Sequence, residues 1–234
     1  MNAIGERQNE ERMLRYQYAS RSYYNHAETL NDLVWLCCII SWLTIFLPDN
    51  PAWTTVFVAI PFFVDIAAMI LSWRMSVAVS SASMLRNYFD AYVLDLNVEQ
   101  FSKSEVQDLE ELTVKAIWRH PPKSKEQMAN NGHDNPPGVR DWYELSQDLT
   151  EQEAVFECQK QNCWWNKKIM RIRMIHTAIA ILILLPLAIV LLAGNKSSIL
   201  LIVFSSGGLI AKCVERLVAN VKYYSLSIKI DGAL

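Results

Sequence analysis

The chain has 234 residues, of which 52% are hydrophobic and 20% charged, with a formal net charge of −2. That near balance excludes a general nucleic-acid binder, which carries a strong basic excess, so any anionic partner must be met by a local cluster. Distribution is more telling than the average: long windows carry no charge at all, while the central residues 74–173 are as polar as a soluble domain.

The first thirty residues are polar and do not read as a cleavable signal peptide. Glu6 to Leu30 reads as a weakly amphipathic helix, with Leu14, Gln17, Tyr24 and Ala27 roughly aligned and Tyr23-Tyr24 near a membrane surface. It suits either an interfacial anchor or a helix packed on the central region. Leu33 to Leu47 then forms the first apolar run, closed by Pro48-Asp49-Asn50-Pro51, and Ala52 to Trp73 forms the second, with Asp65 as its single charge. Met174 to Ala193, a Gly194-Asn195-Lys196 turn and Ser197 to about Val218 repeat the plan. A span needs roughly 20 apolar residues. The first run, at 15 residues, is short for one, and its ends must be shielded or the bilayer thinned.

These runs predict an all-α membrane protein with four transmembrane helices in two hairpins. The implied layout is an N-terminal helix over 1–32, a first hairpin over 33–73, a helical domain over 74–173, a second hairpin over 174–218 and a tail over 219–234. Lysine and arginine set the orientation: four in residues 1–32, thirteen in 74–173 and four from Lys212 onward, against none and one in the two short turns. The excess places both termini and the central domain on the cytoplasmic side.

Beyond Trp73, Leu85, Tyr88, Phe89, Tyr92 and Leu96 recur at helical spacing, so the second span is expected to run on to about Asn97. Ser104-Glu105-Val106-Gln107 reads as a capping box opening a helix with Val106, Leu109, Thr113 and Ile117 on one face. Pro121-Pro122 is expected to end it, and a mobile polar loop to fill about 121–138. Thr150-Glu151-Gln152-Glu153 is a second capping box. It opens a helix with a short heptad seam of Val155, Cys158, Asn162, Trp165, Ile169 and Ile172, free of Gly and Pro until Pro186 and so able to enter the third span directly. Continuous helices of this kind suit a switch that moves the membrane segments, and equally a static stalk.

No phosphate loop, HExxH, GxSxG or metal-spaced Cys/His cluster is present, so neither an enzyme nor a bound cofactor or metal is expected. Cys37, Cys38, Cys158, Cys163 and Cys213 form no CxxC pair and read as reduced thiols. Two features stand out. Thr54, Pro61, Asp65 and Ser72 share one stripe of the second span, and Asp65 reads either as a site on a polar path or as a buried carboxyl paired with Ser205 or Ser206. In the fourth span Ser205-Ser206-Gly207-Gly208 permits close helix approach, or lines a pore, and Lys212 pairs with Glu215 or Arg216 along one face. The second feature is aromatic and basic: Trp118, Arg119 and His120 before the loop, Arg140, Trp142 and Tyr143 after it. Together they suit base stacking and forked phosphate contacts. The alternative is that Trp142 and Tyr143 anchor the domain core while Arg140 and Asp141 pair locally.

Ile4-Gly5-Glu6-Arg7-Gln8-Asn9, Leu14 and Ser20-Arg21-Ser22-Tyr23-Tyr24 resemble the "RQN … L … Q-R-x-L-Y" opening of the S-4TM family of pore-forming effectors. Gly138-Val139-Arg140-Asp141-Trp142-Tyr143 and Cys158-Gln159-Lys160-Gln161-Asn162-Cys163-Trp164-Trp165 resemble its RDWY-like and CQ-x-x-N-x-x-W elements, in the same order and over nearly the whole chain. Tyr18-Ala19-Ser20 departs from the usual Ala-Gln pair, and Asn166 stands where Asp is common. The resemblance implies a bacterial anti-phage effector of the CBASS signalling system. Such an effector is switched on by a cyclic di- or trinucleotide, and breaches the inner membrane to kill or arrest the cell. Its implied partners are that nucleotide, the lipid bilayer and further copies of itself, taken as a tetramer, since four helices of one subunit enclose little space. A constitutive channel or transporter using Asp65, and a membrane scaffold recruiting a partner protein, are the rival readings.

Overall fold

The computed structural model describes residues 3–44, 54–146, 148–194 and 199–232. Among these are seven α-helices and no strand: α1 (Ala3–Arg7), α2 (Glu11–Leu43), α3 (Thr54–Val93), α4 (Lys103–Arg119), α5 (Pro121–Ala129), α6 (Glu151–Gly194) and α7 (Ile199–Asp231). The two turns expected within the hairpins fall on residues 45–53 and 195–198, outside the described residues. One described stretch, Ala59–Val93 of α3, is long and apolar enough to cross a membrane.

The ends of the helices follow from side-chain chemistry. α3 stops at Val93, four residues short of the expected Asn97, because Asp95 takes the left-handed conformation at φ 55°. The Leu96 N–H then donates to the Ala91 carbonyl and the Asp95 N–H to that of Tyr92, the paired closing bonds of a Schellman end. At α4 the cap is Ser102, two residues before the Ser104 expected from sequence. The Glu105 backbone N–H donates to Ser102 Oγ, and the Ser102 backbone N–H donates to Glu105 at 2.8 Å. Both registers obey the capping rule, but Ser102 places the charged Glu105 at the third helical position, where the helix dipole favours an anion. The box at Thr150 and Glu153 forms as read.

Pro121-Pro122 does not open an irregular loop. The two prolines occupy the first turn of α5, where their missing N–H groups are not needed and their fixed φ is already helical. Residues 121–129 are therefore helical, with Ser124 and Gln127 buried. The chain then folds back on the end of α5. The N–H groups of Gly138, Val139 and Arg140 donate to the carbonyls of Asn131, Gln127 and Asn130 at 2.6, 2.8 and 3.0 Å. A β-carbon on Gly138 would lie 1.8 Å from the Asn130 carbonyl oxygen, so this return requires glycine for its closeness.

The chain divides into two compact units. The first comprises Met1–Thr29 and Arg74–Gln161. Its core joins Ile4, Met13, Tyr16 and Tyr18 to Leu85, Tyr88 and Phe89 of α3, Leu109 and Ala116 of α4, Val139 and Tyr143 of the return segment, and Ala154 and Cys158 of α6. Burial of each large apolar side chain contributes about 1.5–3 kcal/mol. Of the predicted α4 face, Leu109 and Thr113 are fully buried while Val106 and Ile117 pack at the margin.

The second unit comprises Leu30–Trp73 and Asn162–Leu234. Val34 and Cys38 of α2, Ala68 of α3 and Leu209 of α7 form its small core, with Trp35, Trp42 and Leu184 against it. Much of its remaining apolar surface faces outward, including Phe62, Phe63, Met69, Ile70, Leu182, Ile183, Val214 and Val218. Exposure on that scale is foreign to a water-soluble surface and suits lipid. Of the heptad seam read on α6, Cys158 is buried in the first unit, whereas Trp165, Ile169 and Ile172 are exposed in the second.

Candidate ligand-binding site

In the first unit the segments Arg7-Gln8-Asn9 and Asp141-Trp142-Tyr143 bind one another. Gln8 Oε1 accepts the Tyr143 N–H at 2.8 Å, and Gln8 Nε2 donates to the Tyr143 carbonyl at 3.2 Å. Asn9 repeats the device one step along: its Oδ1 accepts the Asp141 N–H at 3.1 Å while its Nδ2 donates to the Asp141 carboxylate at 2.7 Å. Asp141 sits at φ 50°, a left-handed position that Asp tolerates. Arg7 extends the clasp to Glu151 at 3.1 Å and Asp95 at 3.5 Å, and Arg21 holds the Pro137 and Gly138 carbonyls.

Held this way, Tyr143 is a core residue, 3% exposed. Its ring stacks on Phe89 and its hydroxyl donates to Asp90 Oδ1 at 2.7 Å. Arg86 completes the set. It pairs with Asp90 one helical turn on, donates to the Tyr143 hydroxyl at 3.4 Å, and places its guanidinium 4.5 Å from the centre of the Trp142 ring. Trp142, 40% exposed, is thus propped outward on a cation. Beside Arg86, the side chains of Tyr24, Ser83, Met84, Asn87 and Asp90 line a shallow, open surface groove of about 410 Å³. The groove thus presents the exposed Tyr24 ring, the Asn87 amide, the Asp90 carboxylate and the Arg86 guanidinium, and Trp142 adjoins it through that guanidinium.

The remaining residues of the aromatic and basic set lie in other settings. Arg119 packs over the Tyr23 ring at 5.6 Å, Trp118 is 77% exposed, and His120 closes α4 and opens α5. Arg140 is exposed, its backbone N–H held by Asn130. Arg86, Asn87 and Asp90 do not stand out from sequence, and Tyr24 reads there only as a membrane-surface aromatic. Their signal was available: Arg86 is the sole basic residue between Met75 and Ser102, and it stands four before an acid.

Nearby, Cys158 is fully buried. Burial, reinforced by the charges of Asp90 and Glu157, pushes its thiol up to about 12. Tyr16 is likewise held protonated by burial and by its hydroxyl's bond to Glu110.

In the second unit Asp65 is half-buried. Its carboxylate faces the buried Ser41 hydroxyl, which closes no bond of ordinary geometry, and lies 3.1 Å from where a β-carbon on Gly208 would stand. Gly208 therefore makes room for this carboxyl. Ser206 Oγ is buried without a partner among the described residues, so it forms no pair with Asp65. Ser72 is half-buried, and the side chains of Thr54 and Ser205 fall outside the described residues. Lys212 pairs with Glu215 at 3.4 Å, as the helical spacing predicts.

Among the described residues the elements are helical, and one helix is long and apolar enough to cross a membrane beside a separately packed polar unit. The SMODS-associating 4TM effector domain matches residues 2–206, most of the chain, and the protein belongs to that family. It is a membrane effector associated with CBASS-type defence. Among curated proteins and solved structures nothing matches this chain.

Proposed function

We propose that this effector is activated by a cyclic di- or trinucleotide bound in the groove beside Trp142, and that it then permeabilises the inner membrane of a bacterium. The observation that carries the reading is the contact between Arg86, which lines the groove, and the exposed ring of Trp142, which stands on the segment clasped by Gln8 and Asn9. A base stacks on an exposed ring at little cost in specificity, and such a contact contributes about 1–3 kcal/mol. Four spans in two hairpins carry the membrane end, with the termini and the first unit in the cytoplasm. The protein acts without catalysis or a cofactor. A homo-oligomer, with the tetramer as the working number, supplies the wall of a pore that one subunit is too small to enclose. α2, α3 and α6 each contribute to both units, which supports transmission of a change at the groove to the membrane helices. The ligand must bind the conducting state more tightly than the resting one, since equal affinities shift nothing.

The test uses the full chain reconstituted in dye-loaded liposomes. Cyclic di- and trinucleotides are added in turn, and leakage should follow one of them. Trp142→Ala should raise the concentration needed by about tenfold or more, with Trp118→Ala as the exposed-tryptophan control. Leakage independent of nucleotide, or abolished only by Asp65→Asn, would favour a constitutive channel instead. A Trp142→Ala protein that responds like the parent would remove this groove from the account.

A further inference from the structure

Residues 164–173 of α6 read Trp-Trp-Asn-Lys-Lys-Ile-Met-Arg-Ile-Arg, two indoles and four cations without an acid. The next twenty residues, Met174–Ala193, carry no charge. Trp164 and Trp165 are 52% and 54% exposed and meet edge to face with centroids 4.7 Å apart. Lys168 lies over both rings, its Nζ 4.8 and 5.4 Å from their centres. Trp164, Lys168 and Arg171 follow at intervals of four and three, which puts them on one helical face, and Lys168 and Arg171 are both exposed. Arg173 faces Arg216 of α7, near which Glu215 and Asp32 also lie. Lys168 and Arg171 thus present positive charge on the exposed face that carries Trp164.

We propose that Trp164, Trp165, Lys168 and Arg171 form a binding site for the headgroup of an anionic phospholipid. Indoles favour the depth of the headgroup and glycerol, where the ring is in apolar surroundings and the N–H is wet. Two cations held at that depth meet lipid phosphate and select lipids with net negative charge over zwitterionic ones. The cation–π contact fixes the Lys168 ammonium against the rings, so the apolar and charged parts of the site are presented together. The site rests on the part of the proposed function that puts Met174–Ala193 in the bilayer, and is independent of nucleotide.

The experiment reconstitutes the full chain in phosphatidylcholine vesicles containing brominated phosphatidylglycerol or brominated phosphatidylcholine, and reads tryptophan quenching without nucleotide. Trp164→Phe/Trp165→Phe defines the share of the signal arising at the site. Phosphatidylglycerol should be preferred, and Lys168→Gln/Arg171→Gln should lower that preference about fivefold for each charge removed. Quenching by phosphatidylcholine and the response of Lys123→Gln/Lys125→Gln, exposed on α5, should stay as in the parent. Equal quenching by the two lipids, or a double variant that keeps the parent's preference, overturns the site. An equal loss in the α5 control overturns it too, as a general charge effect. Absence of quenching of the Trp164 and Trp165 signal by either lipid overturns both the site and the placement of α6 in the bilayer. The nucleotide-driven leakage is read separately.

Discussion

The buried Gln8 side chain serves the backbone of Tyr143 as a neighbouring strand would, accepting its N–H at 2.8 Å and donating to its carbonyl at 3.2 Å across 135 positions of sequence. Asn9 accepts the Asp141 N–H and donates to the Asp141 carboxylate, so two consecutive amides clasp alternate residues of the segment that carries Trp142. The short loop around the groove thus gains the backbone satisfaction that a sheet would otherwise provide.

Gln8→Ala should destabilise the first unit disproportionately. It leaves a buried donor and a buried acceptor of Tyr143 unmet, each costing about 1–3 kcal/mol. Gln8→Glu keeps the acceptor but presents an oxygen to the Tyr143 carbonyl, so it should restore little. Thermal unfolding of the full chain in detergent reads this. A Gln8→Ala protein within a degree of the parent would show that the clasp adds nothing.

Gly138→Ala is expected to cost about 3 kcal/mol or more, since the added methyl meets backbone rather than a side chain that can turn aside. Gly132, whose β-carbon would meet open space, supplies the control: Gly132→Ala should be near neutral. Equal melting temperatures for the two variants would mean that the return segment shifts freely.

Much of this was legible in the sequence because it depends on local rules. The capping box at Thr150, the face of α4 and the passage of α6 into its apolar run are each set by spacing within a few turns. The pattern alone does not fix the cap of α4, because Ser102 and Ser104 both satisfy it, and the dipole's preference for Glu105 decides between them. α5 is hidden in the sequence because Pro121-Pro122 signals a break and a start in the same letters. The groove was only half visible: Trp142 and Tyr143 stood out by residue type. Arg86 and Asp90 acquire their meaning from a contact with Tyr143 more than fifty residues away, and no periodicity encodes such a contact.

Cys158 should resist alkylation at neutral pH. Its raised thiol pKa leaves it protonated well into the alkaline range, and the thiolate is the reactive form. Mass spectrometry after brief maleimide treatment should find Cys158 unmodified in the native protein and fully modified in denaturant. Rapid native labelling would show that α6 opens at this point.

The two capping boxes predict a shared response to acid. Glu105 is held below the usual carboxylate range by the Ser102 backbone N–H and then its hydroxyl, and Glu153 by the Thr150 hydroxyl and then its backbone N–H. A folded pKa below the unfolded one, about 4.3 for Glu, means stabilisation that is complete at neutral pH and lost as pH falls through the folded value. Gln at these positions still accepts the cap hydrogen bond but does not titrate. Glu105→Gln/Glu153→Gln should therefore melt slightly below the parent at pH 7 and lose less as pH falls from 7 to about 3, since the other carboxylates are common to both proteins. Parallel melting curves across that range would mean that the boxes form in the folded chain without contributing to its stability.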